Sequence, residues 1–272
     1  MIELTDRIEE ITNEAGGTWG IALYDMDTGI SWEKNSHDTF YAASVIKVPI
    51  MIAAFAASQK GELSLSEQLE LKREDIVGGS GVLQHLTPGY SFSIYDLITL
   101  MIIQSDNTAT NMLINYIGVA EIQQSMREIG MEKSRFCHRL MTLEVDREGQ
   151  NEINAYEMTE MLVKLASGKI ISAHASEQMI TIMKKQQIRN ALPSNIPTQN
   201  DKFIGMIKKW EFANKTGNIP GISHDIGMLY VGNRIFIASV LSKGVEDIEA
   251  PKIIGNIGLE IYQYLIKNRN AS

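Results

Sequence analysis

The sequence predicts a two-domain α/β fold, in which an antiparallel sheet formed by both chain ends with flanking helices carries an inserted all-helical domain. Strand-like patterns occur near the two ends, whereas helical spacing continues almost without interruption through residues 45–190. The length of 272 residues and an apolar fraction of 44% are sufficient for a sizeable core. We therefore expect an α/β domain from residues 1–40 and 203–272, an all-α domain from residues 41–202, and an active site at their interface.

The N-terminal part contributes one helix and one hairpin. Residues 2–14 carry apolar side chains at helical spacing among acids, and Gly16-Gly17 follows as a signal for the helix end. Residues 20–24 and 30–33 have strand character, and residues 25–29 between them form a turn of the Asp/Gly type. This hairpin is expected to supply two neighbouring strands of the sheet.

The middle of the chain is predicted to consist of helices joined by loops. One helix begins near Ser44, a second covers Ile94–Ile103, and a third starts at Asn154 with Glu157 in capping-box spacing. Residues 192–201 contain two prolines and little periodicity. They are expected to form the return crossing from the helical region to the sheet.

The C-terminal part contains a second hairpin and a final helix. Residues 226–231 and 235–241 are apolar strands on either side of the turn at residues 232–234. The segment Pro251–Ile266 opens at a proline and carries a broad apolar stripe, which predicts a helix packed on other elements. Strands from both chain ends are therefore available for one sheet.

Charge and composition exclude several classes of protein. The net charge of −8 argues against a partner that is nucleic acid or an anionic membrane, because either would need a positive surface. The single cysteine, Cys137, cannot form an internal disulfide, and the five histidines stand far apart, so we expect no metal site. The longest apolar run, residues 97–103, is shorter than the ~20 residues of a membrane-spanning helix. A small-molecule ligand and a monomeric protein fit this composition.

The first residues do not resemble a secretory signal. Residues 1–6 are acidic and lack the positive and apolar regions of a signal peptide. We expect either a cytosolic protein or a mature form whose leader has been replaced by a methionine, and the sequence leaves the compartment open.

Two Ser-x-x-Lys sequences occur, and only one of them can bring its serine and lysine together. Ser31 and Lys34 lie in a predicted strand, where alternation sends positions three apart to opposite faces. Ser44 and Lys47 lie at the start of a helix, where the same spacing places both on one face. A serine hydroxyl attacks well when a base removes its proton, and a lysine is such a base when its surroundings suppress its charge. The alternative is that Ser44 only caps the helix and that Lys47 is solvated.

Two further polar motifs supply the groups that such a nucleophile requires. Ser105-Asp106-Asn107 follows a predicted helix and offers a hydroxyl for proton relay and an amide for a substrate carbonyl. Lys215-Thr216-Gly217 precedes the C-terminal hairpin and offers a cation and a hydroxyl for a substrate carboxylate. Its glycine would let a substrate backbone approach the strand edge. The three motifs, in this order and at these positions, indicate a serine acyl-transfer site.

The motifs resemble those of the penicillin-recognising serine enzymes, and most closely those of the class A β-lactamases. The matching stretches extend over nearly the whole chain and are Tyr41–Lys47, Thr87–Gly89, Asp96–Leu97, Ser105–Asn111 and Lys215–Gly217. The resemblance implies an α/β domain and a helical domain with an acyl-transfer cleft between them.

The resemblance implies a catalytic role for three residues and the position of an oxyanion hole. Ser44 would form the acyl-enzyme, with Lys47 beside it as proton acceptor. Ser105 would pass the proton to the leaving amide nitrogen. The backbone N–H groups of Ser44 and Asn218 would form the oxyanion hole, and no cofactor would be needed.

The resemblance also implies how a substrate would be bound. Asn107 would hold the acylamide side chain of the substrate, and Lys215 and Thr216 would anchor its carboxylate, with Gly217 beside them. Class A enzymes usually add an arginine on the neighbouring strand, but this chain has Ser223-His224-Asp225 in that stretch. His224 would replace the arginine only at low pH, because a neutral imidazole is the ordinary state near pH 7.

The deacylation motif of the class A enzymes, E-x-x-x-N, is broken in this chain. The glutamate usually follows an arginine by two positions, but the second residue after Arg139 is Met141. The nearest acid is Glu144, and four residues beyond it stands Glu148 rather than an asparagine. Glu144 is therefore either a deacylation base with Asn151 as a substitute partner, or one of several solvated acids in a shortened loop.

The sequence thus predicts a hydrolase of the class A β-lactamase type that acts on a small-molecule β-lactam through an acyl-enzyme on Ser44. One alternative is a slowly deacylating penicillin-binding DD-peptidase or esterase of the same fold, with a peptidoglycan-like or ester substrate. A second alternative is a relative without catalytic activity that binds a ligand as a sensor.

Overall fold

The computed structural model describes residues 1–140, 149–198 and 208–267. Within these residues the chain forms eight α-helices, nine strands and three short 3-10 helices. The α-helices are Ile2–Ala15 (α1), Lys47–Gln59 (α2), Ile94–Ile103 (α3), Asn107–Ile117 (α4), Val119–Glu128 (α5), Ala155–Ala166 (α6), Ala173–Lys184 (α7) and Glu249–Lys267 (α8). The strands are Thr18–Asp25 (β1), Ser31–Lys34 (β2), Phe40–Tyr41 (β3), Gln68–Glu70 (β4), Ser91–Ser93 (β5), Glu152–Ile153 (β6), Trp210–Ile219 (β7), Ile222–Val231 (β8) and Arg234–Lys243 (β9).

Strands from the two ends of the chain form one antiparallel sheet in the order β2-β1-β9-β8-β7. This confirms the predicted sheet. The central strand β9 pairs with β1 on one side, where Leu23 lies opposite Ala238, and with β8 on the other. Strand β8 begins four residues earlier than the apolar pattern predicted, because its first part contains the polar but buried residues 223–225.

Two apolar cores lie on opposite faces of the sheet. Ile21 and Leu23 of β1 pack in one core with Ile8 of α1 and Ile257 of α8. The intervening Ala22 belongs to the other and larger core, which contains the buried faces of the inserted helices. No helix within the described ranges is long and apolar enough to cross a membrane.

Helices α2 to α7 occupy most of the middle of the chain, as predicted, but they are accompanied by two small ladders. Strand β3 pairs with β6, and β4 pairs with β5. Segments of two or three residues are too short to show alternation, which is why the sequence did not predict them. The predicted boundary after residue 40 falls inside β3, and the one after residue 202 lies outside the described residues. The division into domains therefore stays a prediction.

Helix α6 begins at the predicted cap, but its predicted capping box is only half formed. The Asn154 side chain accepts a hydrogen bond from Glu157 N at 2.8 Å. The Glu157 carboxylate does not return this bond and instead accepts the backbone N–H groups of Lys133 and Ser134, each at 2.8 Å. Glu157 thus ties the loop before α6 to the helix.

The first Ser-x-x-Lys sequence forms β2, as predicted, and its two side chains serve other contacts. Lys34 Nζ donates to Thr12 Oγ1 and to Asn13 Oδ1 of α1, both at 2.8 Å. Ser31 is exposed at the start of the strand. This pair is therefore not a catalytic unit.

Candidate active site

The candidate nucleophile lies where a short 3-10 helix, Ala43–Ile46, leads into α2. Ser44 is half-buried, whereas Lys47, the first residue of α2, is fully buried. Ala43 has a φ of 42°, in the left-handed region that residues with a side chain rarely adopt. Such strain is often found at functional sites, and here it stands directly before the serine.

Lys47 connects the first motif with the second. Its Nζ lies 3.1 Å from Ser44 Oγ and 3.0 Å from Ser105 Oγ. It also donates to Ser105 O at 2.7 Å and to Asn107 Oδ1 at 2.8 Å. The i, i+3 spacing on the helix therefore brings serine and lysine together, and the second motif closes around the amine.

The Ser105 hydroxyl is the point where all three motifs meet. Ser105 lies between α3 and α4 and has a φ of 53°. Its Oγ accepts hydrogen bonds from Lys47 Nζ at 3.0 Å and from Lys215 Nζ at 3.1 Å. Lys215 is fully buried on β7 and also donates to Thr216 O at 2.6 Å. A proton could thus pass between the two amines and this hydroxyl.

The two buried amines have lowered pKa values. Burial lowers the pKa of Lys47 well below its ordinary value, the positive charge of Lys215 lowers it further, and Asp106 partly opposes both effects. Burial also lowers the pKa of Lys215, to about 7, against the opposing charge of Asp225. A neutral Lys47 has a lone pair that can accept a proton from Ser44, which is the chemistry that a serine nucleophile requires.

Asp106 has no function predicted from the sequence, but its carboxylate holds one wall of the cleft. Its carboxylate caps α4 by accepting Ala109 N at 2.9 Å, and it accepts Val82 N at 2.6 Å and Leu83 N at 2.8 Å. Gly81 passes so close that a Cβ there would lie 2.4 Å from Asp106 Oδ2. Aspartate is a preferred helix cap, and this was the available signal for its contact with α4, whereas its contacts with Val82 and Leu83 join segments that are remote in sequence.

Asn107 is oriented by this wall and by Lys47. Its backbone N–H donates to Ser80 O at 3.0 Å, and its Nδ2 donates to Gly78 O at 3.1 Å. Its Oδ1 accepts from Lys47 at 2.8 Å. One amide hydrogen of Asn107 is thus left for a substrate carbonyl.

The third motif lies on β7, the edge strand of the sheet. Thr216 and Gly217 are buried, and Asn218 is exposed. A Cβ on Gly217 would lie 2.9 Å from Ser44 N. This glycine is predicted to admit a substrate backbone; in the structure its missing side chain also lets β7 approach the 3-10 helix that carries Ser44.

A buried polar pair, missed by the sequence analysis, lies beside the third motif. Asp225 of β8 accepts Leu192 N at 2.9 Å and Asn214 Nδ2 at 3.0 Å. Burial raises the pKa of Asp225 to about 7, although its hydrogen bonds and Lys215 favour the charged form. Asn214 Oδ1 is buried and has no hydrogen-bond partner in the part of the chain that the structure describes. A charged residue directly before an apolar strand pattern was the only signal for this pair.

The contacts of His224 do not support its predicted role in binding a substrate carboxylate. The side chain is fully buried, and Nε2 lies 2.9 Å from Tyr41 O, while Nδ1 accepts Ser242 N at 3.2 Å. Burial lowers the pKa of His224 to about 4. The imidazole is therefore neutral and bonded through both nitrogens. Among the described residues, no group of three or more His, Cys, Asp or Glu side chains is placed to hold a metal ion.

Glu144 lies within residues 141–148, outside the described residues, so its predicted role stays a prediction. The chain directly before this segment is held by Asn111 of α4. Asn111 Oδ1 accepts Leu140 N at 2.9 Å, and its Nδ2 donates to Leu140 O at 2.8 Å. Asn111 is the last residue of the matching stretch Ser105–Asn111. Its two hydrogen bonds fix the position of Leu140, four residues before Glu144.

Asn151 anchors the other side of the segment. Its Oδ1 accepts Cys137 N at 2.7 Å, and its Nδ2 donates to His138 O at 3.0 Å. Its backbone carbonyl accepts Ala42 N at 2.8 Å, two residues before Ser44. The side chain is engaged with backbone, so these contacts do not support its predicted partnership with Glu144.

Comparison with known proteins gives consistent likenesses over nearly the whole chain. The family model described as "Beta-lactamase enzyme family" matches residues 3–265. A Beta-lactamase of Rhodobacter capsulatus is 28% identical over 192 residues, which cover 70% of this chain and 65% of that protein. The beta-lactamase structure from Sphaerobacter thermophilus DSM 20745 has a TM-score of 0.86 at 26% identity and covers 96% of both chains. A mutant of PBP-A, solved as an acyl-enzyme complex with penicillin G, has a TM-score of 0.85 at 26% identity and covers 98% of this chain and 97% of its own. These likenesses confirm the predicted fold class.

Proposed function

The chain belongs to the beta-lactamase enzyme family, and from that premise we propose that it is a class A-like serine hydrolase that opens β-lactam amide bonds through an acyl-enzyme on Ser44. The observation that carries the proposal is the distance of 3.1 Å between Ser44 Oγ and the Nζ of the fully buried Lys47. A buried amine with a lowered pKa beside a serine hydroxyl is the arrangement that activates this nucleophile.

In the acylation step, neutral Lys47 takes the proton of Ser44 while Oγ attacks the lactam carbonyl carbon. The charge that develops on the carbonyl oxygen is stabilised by the backbone N–H groups of Ser44 and Asn218. The C–N bond then breaks, and the leaving nitrogen takes a proton from the Ser105 hydroxyl, which regains one from Lys47. The step ends with an ester on Ser44 and with Lys47 neutral again, which is consistent with the 3.0 Å between Lys47 Nζ and Ser105 Oγ.

The substrate is held by groups on both sides of the nucleophile. Protonated Lys215 attracts the carboxylate next to the lactam ring, and the Thr216 hydroxyl donates to it. The remaining amide hydrogen of Asn107 donates to the carbonyl of the acylamide side chain. These roles require Lys215 to be charged while Lys47 is neutral.

For deacylation we assign the base to Glu144. It takes a proton from a water that attacks the ester carbonyl carbon, and the bond to Ser44 Oγ breaks. Ser44 Oγ takes a proton from Lys47, and Lys47 is restored by the proton on Glu144, so all three groups return to their starting states. The contacts of Asn111 with Leu140 hold the start of the segment that carries Glu144, four residues before it.

The acylation proposal is tested by nitrocefin turnover. Replacing the nucleophile in Ser44→Ala should reduce kcat/KM by about a thousandfold or more. Ser31→Ala is the matched control, because it removes the serine of the other Ser-x-x-Lys sequence at an exposed position. If the wild type hydrolyses nitrocefin no faster than Ser44→Ala does, the proposal is contradicted.

A second function is favoured by two features of the deacylation region. Met141 stands where class A enzymes usually have their glutamate, and the Asn151 amide is bonded to the backbone of residues 137 and 138. The chain would then acylate at Ser44 but hydrolyse the ester slowly, as a penicillin-binding DD-peptidase or an esterase does.

Mass spectrometry after mixing with penicillin G separates the two functions. A fast hydrolase returns to the free mass within seconds, and Glu144→Gln prolongs its adduct. A slow deacylator keeps an adduct on Ser44 for minutes or longer, and Glu144→Gln leaves that lifetime unchanged. Absence of any adduct and of any turnover would contradict both and would leave a ligand-binding relative, recognised by thermal stabilisation alone.

A further inference from the structure

A groove separate from the cleft lies at the far end of α2. It is bounded by the last turns of α2, the end of α5 and the turn between α6 and α7, and its volume is about 520 Å³. Small-molecule sites commonly have volumes of about 300–1,000 Å³. Ser44 precedes the first residue of α2, whereas the groove lies at the last turns, and a helix of 13 residues is about 20 Å long. The two sites are therefore distinct.

The floor of the groove is apolar. The aliphatic side chains that line it come from three elements and are Ile52, Ala56, Ile129, Ile170 and Ile171. Ile52 and Ile170 are buried, whereas Ala56, Ile129 and Ile171 are half-buried and accessible from the groove. Such a surface is suited to an aliphatic chain.

The rim of the groove is positively charged. Three lysines, Lys60, Lys164 and Lys169, line it together with one carboxylate, Glu128. Lys60 lies 3.5 Å from Glu128, and Lys164 Nζ donates to Ile129 O at 2.6 Å. The Lys169 side chain is exposed and has no hydrogen bond or ion pair to the residues that the structure describes; only its backbone N–H is bonded, to Lys164 O at 2.8 Å. On a chain with a net charge of −8, this local excess of cations favours an anion.

A strained turn shapes one wall of the groove. Ile171 has a φ of 62°, and Ser172 N donates to Ile170 O at 2.7 Å, which closes a three-residue turn. A β-branched residue rarely adopts this conformation. The turn buries Ile170 and leaves Ile171 half-buried beside it, so both side chains contribute to the apolar floor.

We propose that this groove binds a small free carboxylate with an aliphatic chain, such as a medium-chain fatty acid. The chain lies on the isoleucine floor, and the carboxylate lies at Lys169 and Lys164. The apolar floor and the cationic rim together require a ligand that has both parts. This binding site is independent of the function proposed for Ser44.

Methyl NMR with octanoate tests the proposal, because four of the lining residues are isoleucines. The δ1-methyl signals of Ile129, Ile170 and Ile171 should shift and saturate in a titration. Lys169→Ala should weaken the affinity several-fold, whereas Lys252→Ala, an exposed lysine on α8, should not change it. Octylammonium, with the same chain and the opposite charge, should bind about tenfold more weakly or not at all.

Several results of these experiments would contradict the proposal. The proposal fails if the three signals do not move, or if only Ile46 and Ile219 near the cleft respond. It also fails if octylammonium binds as tightly as octanoate, or if phosphatidylglycerol vesicles shift the signals while free octanoate does not. Ala56→Phe fills the groove without changing its charge, so unchanged binding in that variant places the ligand elsewhere.

Discussion

At the scale of single residues, Lys47 and Lys215 both donate to the Ser105 hydroxyl, yet the proposed mechanism needs them in opposite charge states. Lys47 must be neutral to accept the serine proton, and Lys215 must be charged to attract a carboxylate. Burial lowers the pKa of both, that of Lys215 to about 7. Activity should therefore rise with pH as Lys47 loses its proton and fall as Lys215 loses its own.

We expect Lys215→Arg to move the alkaline limb of the pH profile upward by more than one pH unit. Arginine keeps its charge throughout the accessible range, so the carboxylate remains anchored above pH 7. The measurement is kcat/KM for nitrocefin from about pH 5 to about pH 9. An alkaline limb that stays near pH 7 in the variant would show that Lys215 does not cause it.

We expect Gly217→Ala to reduce kcat/KM by about tenfold or more, because its Cβ would lie 2.9 Å from Ser44 N and displace the nucleophile. Gly78→Ala is the matched control, since a Cβ there meets no atom within 4 Å. Steady-state kinetics of both variants make the comparison. Equal activities would contradict the tight approach of β7 to the 3-10 helix.

Spacing along the chain predicted which neighbouring side chains lie close together. It did not predict contacts between segments that are distant in sequence. The approach of Ser44 to Lys47 follows from helix geometry alone, and the structure agrees. The burial of His224 against the Tyr41 carbonyl depends on a strand 183 positions earlier, which no local pattern contains. The hydrogen bonds that Asp106 accepts from Val82 N and Leu83 N also join segments 24 and 23 positions apart, so no local pattern predicts them.

At the scale of elements, α4 depends on one carboxylate that also holds the cleft wall. Asp106→Asn removes a charged acceptor from three backbone N–H groups, so it should lower the free energy of unfolding by about 1–3 kcal/mol. Urea denaturation measures this loss. Asp38→Asn is the control, because this exposed carboxylate accepts no hydrogen bond from the residues that the structure describes and should change stability by less than about 0.5 kcal/mol. Equal losses in the two variants would argue against the special role of Asp106.

Long elements were predictable from the sequence, and short ones were not. The helix Ile94–Ile103 was predicted with the bounds that the structure gives, because a largely apolar stretch of ten residues is longer than most strands and fits a buried helix. The pair of β3 with β6 has two residues in each strand, too few for any period to be visible. Glu157 shows a further limit, since its spacing predicted a capping box while a loop 23 positions away takes its carboxylate.

At the scale of the whole molecule, His224 links stability to pH. Its pKa is about 4 in the folded chain and 6.5 ordinarily, so the unfolded chain binds more protons between these values. The contribution of neutral His224 is fully present above pH 6.5 and is lost as pH falls through 4. Asp225, whose pKa is raised from 3.8 to about 7, acts in the opposite direction over a similar range.

We therefore expect His224→Gln to gain stability relative to the wild type as pH falls from 7 to 4, by about 3 kcal/mol in total. Thermal or urea unfolding of both proteins across this range gives the difference at each pH. A difference that does not change with pH would show that His224 titrates alike in the folded and unfolded chains.

The position of β7 at the sheet edge has a consequence for solubility. An edge strand exposes unpaired backbone groups that can recruit a strand from another molecule. Here the 3-10 helix that bears Ser44 packs against β7, with Ser44 N 2.9 Å from the place of a Gly217 Cβ. The opposite edge, β2, is only four residues long and carries Glu33 and Lys34. The packing of the 3-10 helix at Gly217 and the short, charged edge at β2 therefore both limit the strand surface that a second molecule can pair with.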